Sequence, residues 1–144
     1  MNYLLDTNVV SEWVKPRPDL NVIRWLADAD EDRIHLSVIT FAEIHQGIEG
    51  MTPGRRRESL KSWLQDELAL RFDGRILGVD LRVAEAWGTV MAQSQAKGVN
   101  IGAMDGFFAA TSFANDLTLV TRNTKHFERM NVPVLNPWHA KTRK

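Results

Sequence analysis

Tyr3-Leu4-Leu5-Asp6-Thr7-Asn8 decides the fold, because a short apolar run ends on an acid and passes at once into side chains that suit a turn and a helix N-cap. The pattern reads as a first strand that delivers Asp6 at its C-terminal end. Val9, Val10, Trp13 and Val14 then recur at helical spacing until Pro16 and Pro18 stop them, and Val22, Ile23, Trp25, Leu26 and Ala29 mark a second helix after Asp19. The same alternation repeats downstream. A strand is predicted over 34–39, with Thr40 opening a helix that carries Phe41, Ala42, Ile44 and Ile48 to Gly50.

Residues 53–72, with Leu60, Trp63, Leu64 and Leu68 on one stripe, read as one long amphipathic helix. A compact strand over 76–80 ends on Asp80, which can cap the helix of Val83, Ala84, Trp87, Val90 and Met91. A further helix starts around Ala103 or Asp105 and runs through Phe113. Strands are predicted over 117–121 and 132–135, the last at a sheet edge because it contains Pro133. Short apolar strands alternating with helices predict an α/β fold, with a mostly parallel central sheet flanked by helices on both faces. In such a sheet ligands bind beyond the carboxyl ends of the strands, where the strand order reverses.

The 144 residues suit a single domain, 1–144, and 44% hydrophobic with 25% charged residues argues against disorder or a fibrous repeat. Lysine plus arginine and aspartate plus glutamate both count 18, so attraction to nucleic acid has to come from a local patch. No cysteine is present, which excludes disulfides, thiolate metal sites and a cysteine nucleophile. No leader-like segment or apolar run of membrane-spanning length occurs, so a cytoplasmic protein without membrane contact is expected.

Asp6 at one strand end, 121–123 at another and Asp105 near a helix start all map to one rim, and Glu43 on the helix after the second strand can reach it. Acids gathered at one rim raise each other's pKa and are tolerated mainly when a cation neutralises them, and oxygen ligands suit Mg²⁺ or Mn²⁺. Each has a plainer reading. Asp6 and Asp105 can be helix caps, Glu43 a solvated surface acid and Asn123 a turn residue. The joint pattern carries more weight than any one member.

Leu4-Leu5-Asp6-Thr7-Asn8, then Phe41-Ala42-Glu43-Ile44 leading to Gly47, then Asp105 with Phe108-Ala109-Ala110, then Val120-Thr121-Arg122-Asn123 ending at Phe127, resembles the PIN-domain ribonucleases. Within them it is most similar to the VapC-type toxins of bacterial toxin–antitoxin pairs. The resemblance spans nearly the whole chain. It implies a PIN-like three-layer fold and a Mg²⁺- or Mn²⁺-dependent endoribonuclease. Asp6, Glu43 and Asp105 would bind the metal and Asn123 would complete the catalytic set. Thr7, Asn8 and Thr121 would hold the carboxylates in place, and Arg122 and Lys125, close to the rim, would contact RNA. It also implies a cognate antitoxin, which would lay a helix and an extended tail across apolar grooves. The stripes at Trp13, Trp25 and Trp63 are candidates for that groove or for a homodimer face.

Two positions depart from the family pattern: Asn123 is neutral where many relatives carry a fourth acid, and His126 stands where an aspartate is common. Fewer negative charges argue against a tightly held second metal. Two other functions remain open on the sequence. A haloacid-dehalogenase-like phosphatase also begins with a strand ending in aspartate, but needs a second aspartate where Asn8 stands. A non-catalytic binding module would have lost its metal with the reduced acid set. Arg55-Arg56-Arg57 is the densest basic cluster and reads best as a solvated helical face. Lys141, Arg143 and Lys144 are expected to add weak attraction to RNA from a loose tail.

Overall fold

The computed structural model describes residues 1–139, and the basic tail at 141–144 lies outside them. Five strands form one sheet: β1 (Tyr3–Leu5), β2 (Ile34–Ser37), β3 (Ile76–Leu77), β4 (Thr118–Val120) and β5 (Val134–Leu135). Their order is β3-β2-β1-β4-β5 and every pairing is parallel. The chain builds outward from β1 to β3, then returns to the other flank of β1 for β4 and β5. The order therefore reverses between β1 and β4, which pair in register as Leu4 with Leu119 and Leu5 with Val120.

Alternation along β1 explains why the sheet is covered on both faces. Leu4 and Leu5 are both fully buried, yet they belong to different cores. Leu5 packs with Val9, Val10, Val22, Leu36, Leu64 and Phe72, and Leu4 with Phe108, Ala109, Leu119 and Phe127. Each such side chain stabilises the fold by about 2 kcal/mol relative to exposure.

Helices α1 (Thr7–Val10), α2 (Leu20–Asp28), α3 (Val38–Glu49), α4 (Arg55–Ser62), α5 (Ala69–Arg71), α6 (Leu81–Ala96), α7 (Ala103–Asn115) and α8 (Thr124–Glu128) connect the strands. The strand predicted over 34–39 stops at Ser37, because the Ser37 hydroxyl accepts the Ile39 N–H at 3.0 Å and starts α3 two residues early. Asp80 caps α6 as expected, accepting from Val83 N at 2.9 Å.

The helix predicted over 53–72 is not uniform. A π-helical stretch, Trp63–Leu68, separates α4 from α5, and the change of winding leaves Leu64, Leu68 and Phe72 all buried. Two members of the arginine cluster bond to backbone carbonyls of other elements, Arg56 while staying exposed and Arg57 half-buried. Arg56 Nη2 donates to Val14 O at 2.8 Å, and Arg57 Nε donates to Ile48 O at 3.1 Å, tying α4 to the helices beside β1 and β2.

Among the described residues no helix is long and apolar enough to cross a membrane.

Candidate active site

The reversal between β1 and β4 places Asp6 and Thr121 side by side, because each is the residue that follows its strand. Asp6 N donates to Val120 O at 2.9 Å and continues the ladder by one residue. The carboxylate is 6% exposed and held at both oxygens: Oδ1 accepts the Thr7 N–H at 2.7 Å and Oδ2 accepts the Thr121 hydroxyl at 2.8 Å. Thr121 Oγ1 in turn accepts the Asn123 N–H at 3.0 Å, so the turn after β4 is fixed by the same oxygen that orients Asp6.

Glu43 reaches this rim from the second turn of α3. Its Oε1 accepts the Thr7 hydroxyl at 2.6 Å, and Thr7 Oγ1 also lies 3.0 Å from Thr40 Oγ1. A carboxylate can only accept, so the single Thr7 proton goes to Glu43 and Thr40 supplies the proton of the second contact. Thr7 thus serves both acids, Asp6 through its amide and Glu43 through its hydroxyl.

Asp105 sits in the first turn of α7 and is 40% exposed, with Oδ2 3.0 Å from His126 Nε2. His126 is carried by α8, and its ring meets the Phe127 ring edge-on at 5.2 Å. The backbone follows from close packing behind it. Gly106 faces Trp87 and Met91 of α6, and Trp87 stacks on Phe107 while donating Nε1–H to Ala103 O at 3.1 Å.

Burial pushes the Asp6 carboxyl up to about 6. The Thr121 and Thr7 hydrogen bonds pull against that rise, and the nearby charges of Asp105 and Glu43 add to it. Asp6 therefore feels the charge of both other acids. The three do not form a closed cage: among the described residues, no three histidine, aspartate or glutamate side chains are grouped to hold one ion. Glu43 is drawn to Thr7 and Asp105 to His126. The donor chemistry still fits a hard divalent cation, being carboxylate oxygen throughout with a buried, charge-crowded carboxylate at its centre.

Of the other residues singled out in the sequence, Thr7 and Thr121 hydrogen-bond the carboxylates of Asp6 and Glu43. Asn8 Oδ1 is buried without a hydrogen-bond partner. Asn123 stands at the start of α8 with its side chain exposed and no cap bond. Arg122 lies with its guanidinium 5.2 Å from the Trp138 ring centre, and Lys125 is exposed beside Asp105 and His126 on the wall of a cavity of about 580 Å³.

Sequence reasoning missed Glu12 and the contact of His126 with Asp105. Glu12 is 2% exposed although no local pattern marks it as buried, and Asp105 lies 21 residues from His126 in sequence. The tryptophans separate as well. Trp13 packs on Phe72 and Trp25 meets Tyr3 edge-on, whereas Trp63 lines an apolar groove of about 270 Å³ with Val14, Ile44, Met51 and Leu60. Thr7 and Glu43 stand on the wall of the same groove.

Comparison with known proteins identifies the family. The PIN domain family model matches residues 3–133. The chain is 37% identical over 135 residues to "VapC ribonuclease Y4jK" of Sinorhizobium fredii, covering 94% of this chain and 96% of that protein. It is 38% identical over 136 residues to "Toxin FitB" of Neisseria gonorrhoeae, covering 94% and 98%. The crystal structure of FitAcB from Neisseria gonorrhoeae superposes with a TM-score of 0.90 at 37% identity, over 96% of this chain and 99% of that one. Matches of this extent leave one assignment: the chain belongs to the PIN-domain family and, within it, to the VapC-type toxins.

Proposed function

We propose that this chain is a Mg²⁺- or Mn²⁺-dependent endoribonuclease that hydrolyses RNA phosphodiester bonds as the toxin of a type II toxin–antitoxin pair. The observation that carries the reading is the Asp6 carboxylate. It is buried at the strand-order reversal, held by Thr7 and Thr121, and close enough to Asp105 and Glu43 to feel their charge. Burying an acid among acids is costly unless a cation joins them. The names of the relatives support the same activity.

Asp6, Asp105 and Glu43 would hold the ion, and a divalent ion there supplies positive charge that activates water and stabilises the oxygen leaving the phosphate. The protein's own contribution is positioning. Thr121 and the Thr7 amide fix the direction of the Asp6 lone pairs, and the Thr7 hydroxyl holds Glu43 with one oxygen committed. Glu43 then orients the attacking water and accepts its proton, while Asn123 at the start of α8 places an uncharged amide at the rim. Arg122 and Lys125 offer cations to the phosphates on either side. No side-chain nucleophile is required.

The groove at Trp63 is where an antitoxin helix would dock, since it is apolar, open and bordered by Glu43. A partner there could set a basic side chain against the acids.

RNA cleavage by purified protein in Mn²⁺, Mg²⁺ or chelator tests the proposal, with Asp6→Asn and Asp105→Asn alongside. Both substitutions keep shape and remove charge, so folding survives and turnover collapses. No heat of Mn²⁺ binding, with folding intact, favours the non-catalytic binding module instead. The phosphatase reading falls with the family assignment.

A further inference from the structure

A second cavity, of about 560 Å³, adjoins the one beside Asp105 and shares Arg122 as a common wall. Its lining includes Lys15, Arg17, Asp19, Asn21 and Trp138. Three of these residues are cations in a chain with no net charge, counting Arg122, and Lys125 adds a fourth on the Asp105 side. The acids on this wall are already engaged. Asp19 caps α2 through Asn21 N and Val22 N, and Glu12 is turned inward.

Glu12 explains why the wall is rigid. Its Oε1 accepts the Asp19 N–H at 2.8 Å and its Oε2 pairs with Lys15 Nζ at 2.5 Å, so one buried carboxylate staples both ends of Lys15-Pro16-Arg17-Pro18-Asp19. Two prolines stiffen what lies between. Arg17 stands exposed in the middle of that segment, with no ion pair among the described residues. Across the cavity the Asn21 amide donates to Trp138 O at 3.0 Å, which fixes the indole under Arg122.

We infer that Arg17, Lys15 and Arg122 line a channel that seats the single-stranded RNA flanking the cleaved bond, leading past Asp105 to Lys125, with Arg17 as a phosphate contact remote from the acids. This rests on the ribonuclease reading and extends it to a substrate-binding subsite. A preformed groove of spaced cations with an aromatic ring at its base suits a phosphate backbone with unpaired bases better than a duplex or a compact metabolite. Because Arg17 lies outside the acid cluster, it contributes to strand binding and not to the bond-breaking step.

The test uses the full chain, a fluorescein-labelled mixed-sequence RNA of about 20 nucleotides, and the variants Arg17→Glu and Arg17→Ala, with Arg33→Glu as a distant surface control. Anisotropy in chelator measures binding, and cleavage in Mn²⁺ gives KM and kcat. Arg17→Glu should weaken binding about tenfold, raise KM in step and leave kcat unchanged, and Arg17→Ala should reduce the salt slope of binding by about one. Arg33→Glu should do neither. Unchanged affinity and KM in both Arg17 variants, with the wild type active, overturn the channel and leave the nuclease intact. A wild type that neither binds nor cuts RNA with any metal overturns both. If polyglutamate binds this face and the Arg17 variants lose that binding but keep RNA affinity, the channel belongs to an acidic protein partner and the inference fails.

Discussion

Thr121 and Asp6 stand 115 residues apart in sequence, and the hydroxyl of the first donates to the carboxylate of the second across 2.8 Å. The contact exists because β4 returns to the flank of β1 after the chain has built β2 and β3, so that two strand ends meet where neither helix nor loop separates them. The same hydroxyl accepts the Asn123 N–H, coupling the position of the acid to the turn that carries Arg122 and leads into α8 with Lys125.

Thr121→Val keeps the shape of that side chain and deletes both bonds. Asp6 loses a partner that holds its pKa down, and the Asn123 amide loses its acceptor. The concentration of Mn²⁺ needed for half-maximal cleavage should rise about 10- to 100-fold, the usual consequence of removing a group that orients a metal ligand. Mn²⁺ activation curves for wild type and variant decide it, and superimposable curves remove Thr121 from the site.

His126 stands 3.0 Å from Asp105, on a helix whose start is set by the same turn. His126→Asp places a carboxylate where a histidine now faces Asp105. Two acids in contact repel in the absence of a cation and bind one more tightly when it is present. The variant should therefore be less stable than wild type in chelator and require less Mn²⁺ for activity. Thermal melts with and without Mn²⁺ read both effects, and a variant whose melting temperature gains no more from Mn²⁺ than the wild type contradicts the placement of Asp105 at the metal.

The strand ends were legible because their signal is local. Leu4-Leu5-Asp6 and Leu119-Val120-Thr121 each show an apolar run stopping at a polar residue, and their meeting follows from the topology that alternating strands and helices impose. Thr7 could be named as a support because it adjoins Asp6 in sequence, and Thr121 because it stands in the last motif of the family resemblance, at the end of a strand. Glu12 could not, since its burial depends on a loop folding back seven residues later to offer the Asp19 amide. The π-helical stretch at Trp63–Leu68 was equally hidden, because the hydrophobic stripe of residues 53–72 is compatible with unbroken α-helix and only packing on Phe72 and its neighbours selects the altered winding. The backbone bonds of Arg56 and Arg57 were hidden for the same reason: their acceptors are carbonyls of distant elements, which no residue pattern announces.

Gly106 lies beside Asp105 where α7 crosses α6, and a Cβ there would stand 2.7 Å from Met91 Sδ and 2.9 Å from Trp87 Nε1. The methionine end can move, but the indole is tied to Ala103 O and stacked on Phe107. Gly106→Ala should cost about 1–3 kcal/mol by overpacking, more than the gain in helix propensity returns. Urea unfolding gives the number, and a variant as stable as wild type shows that the two helices separate more easily than this packing implies.

Asp6 sets the pH dependence of the metal-free protein. Folded, its carboxyl keeps its proton to about 6, and unfolded it releases it near the ordinary aspartate value of 3.8. Between those values the folded state binds more protons, so this group's contribution to stability falls as pH rises from about 4 to 6 and is flat above. The full loss is about 3 kcal/mol for a carboxyl this buried. Asp6→Asn removes the charge but leaves the Thr121 hydroxyl poorly matched, so the net gain at pH 7.5 in chelator should be about 1–2 kcal/mol, with little gain at pH 4. Urea midpoints for the two proteins at both pH values isolate the group, because every other carboxyl is common to both. Saturating Mn²⁺ should reverse the order at pH 7.5, stabilising wild type and not the variant. A difference between the proteins that stays constant across this pH range and ignores the metal shows that Asp6 is not the acid that a cation relieves.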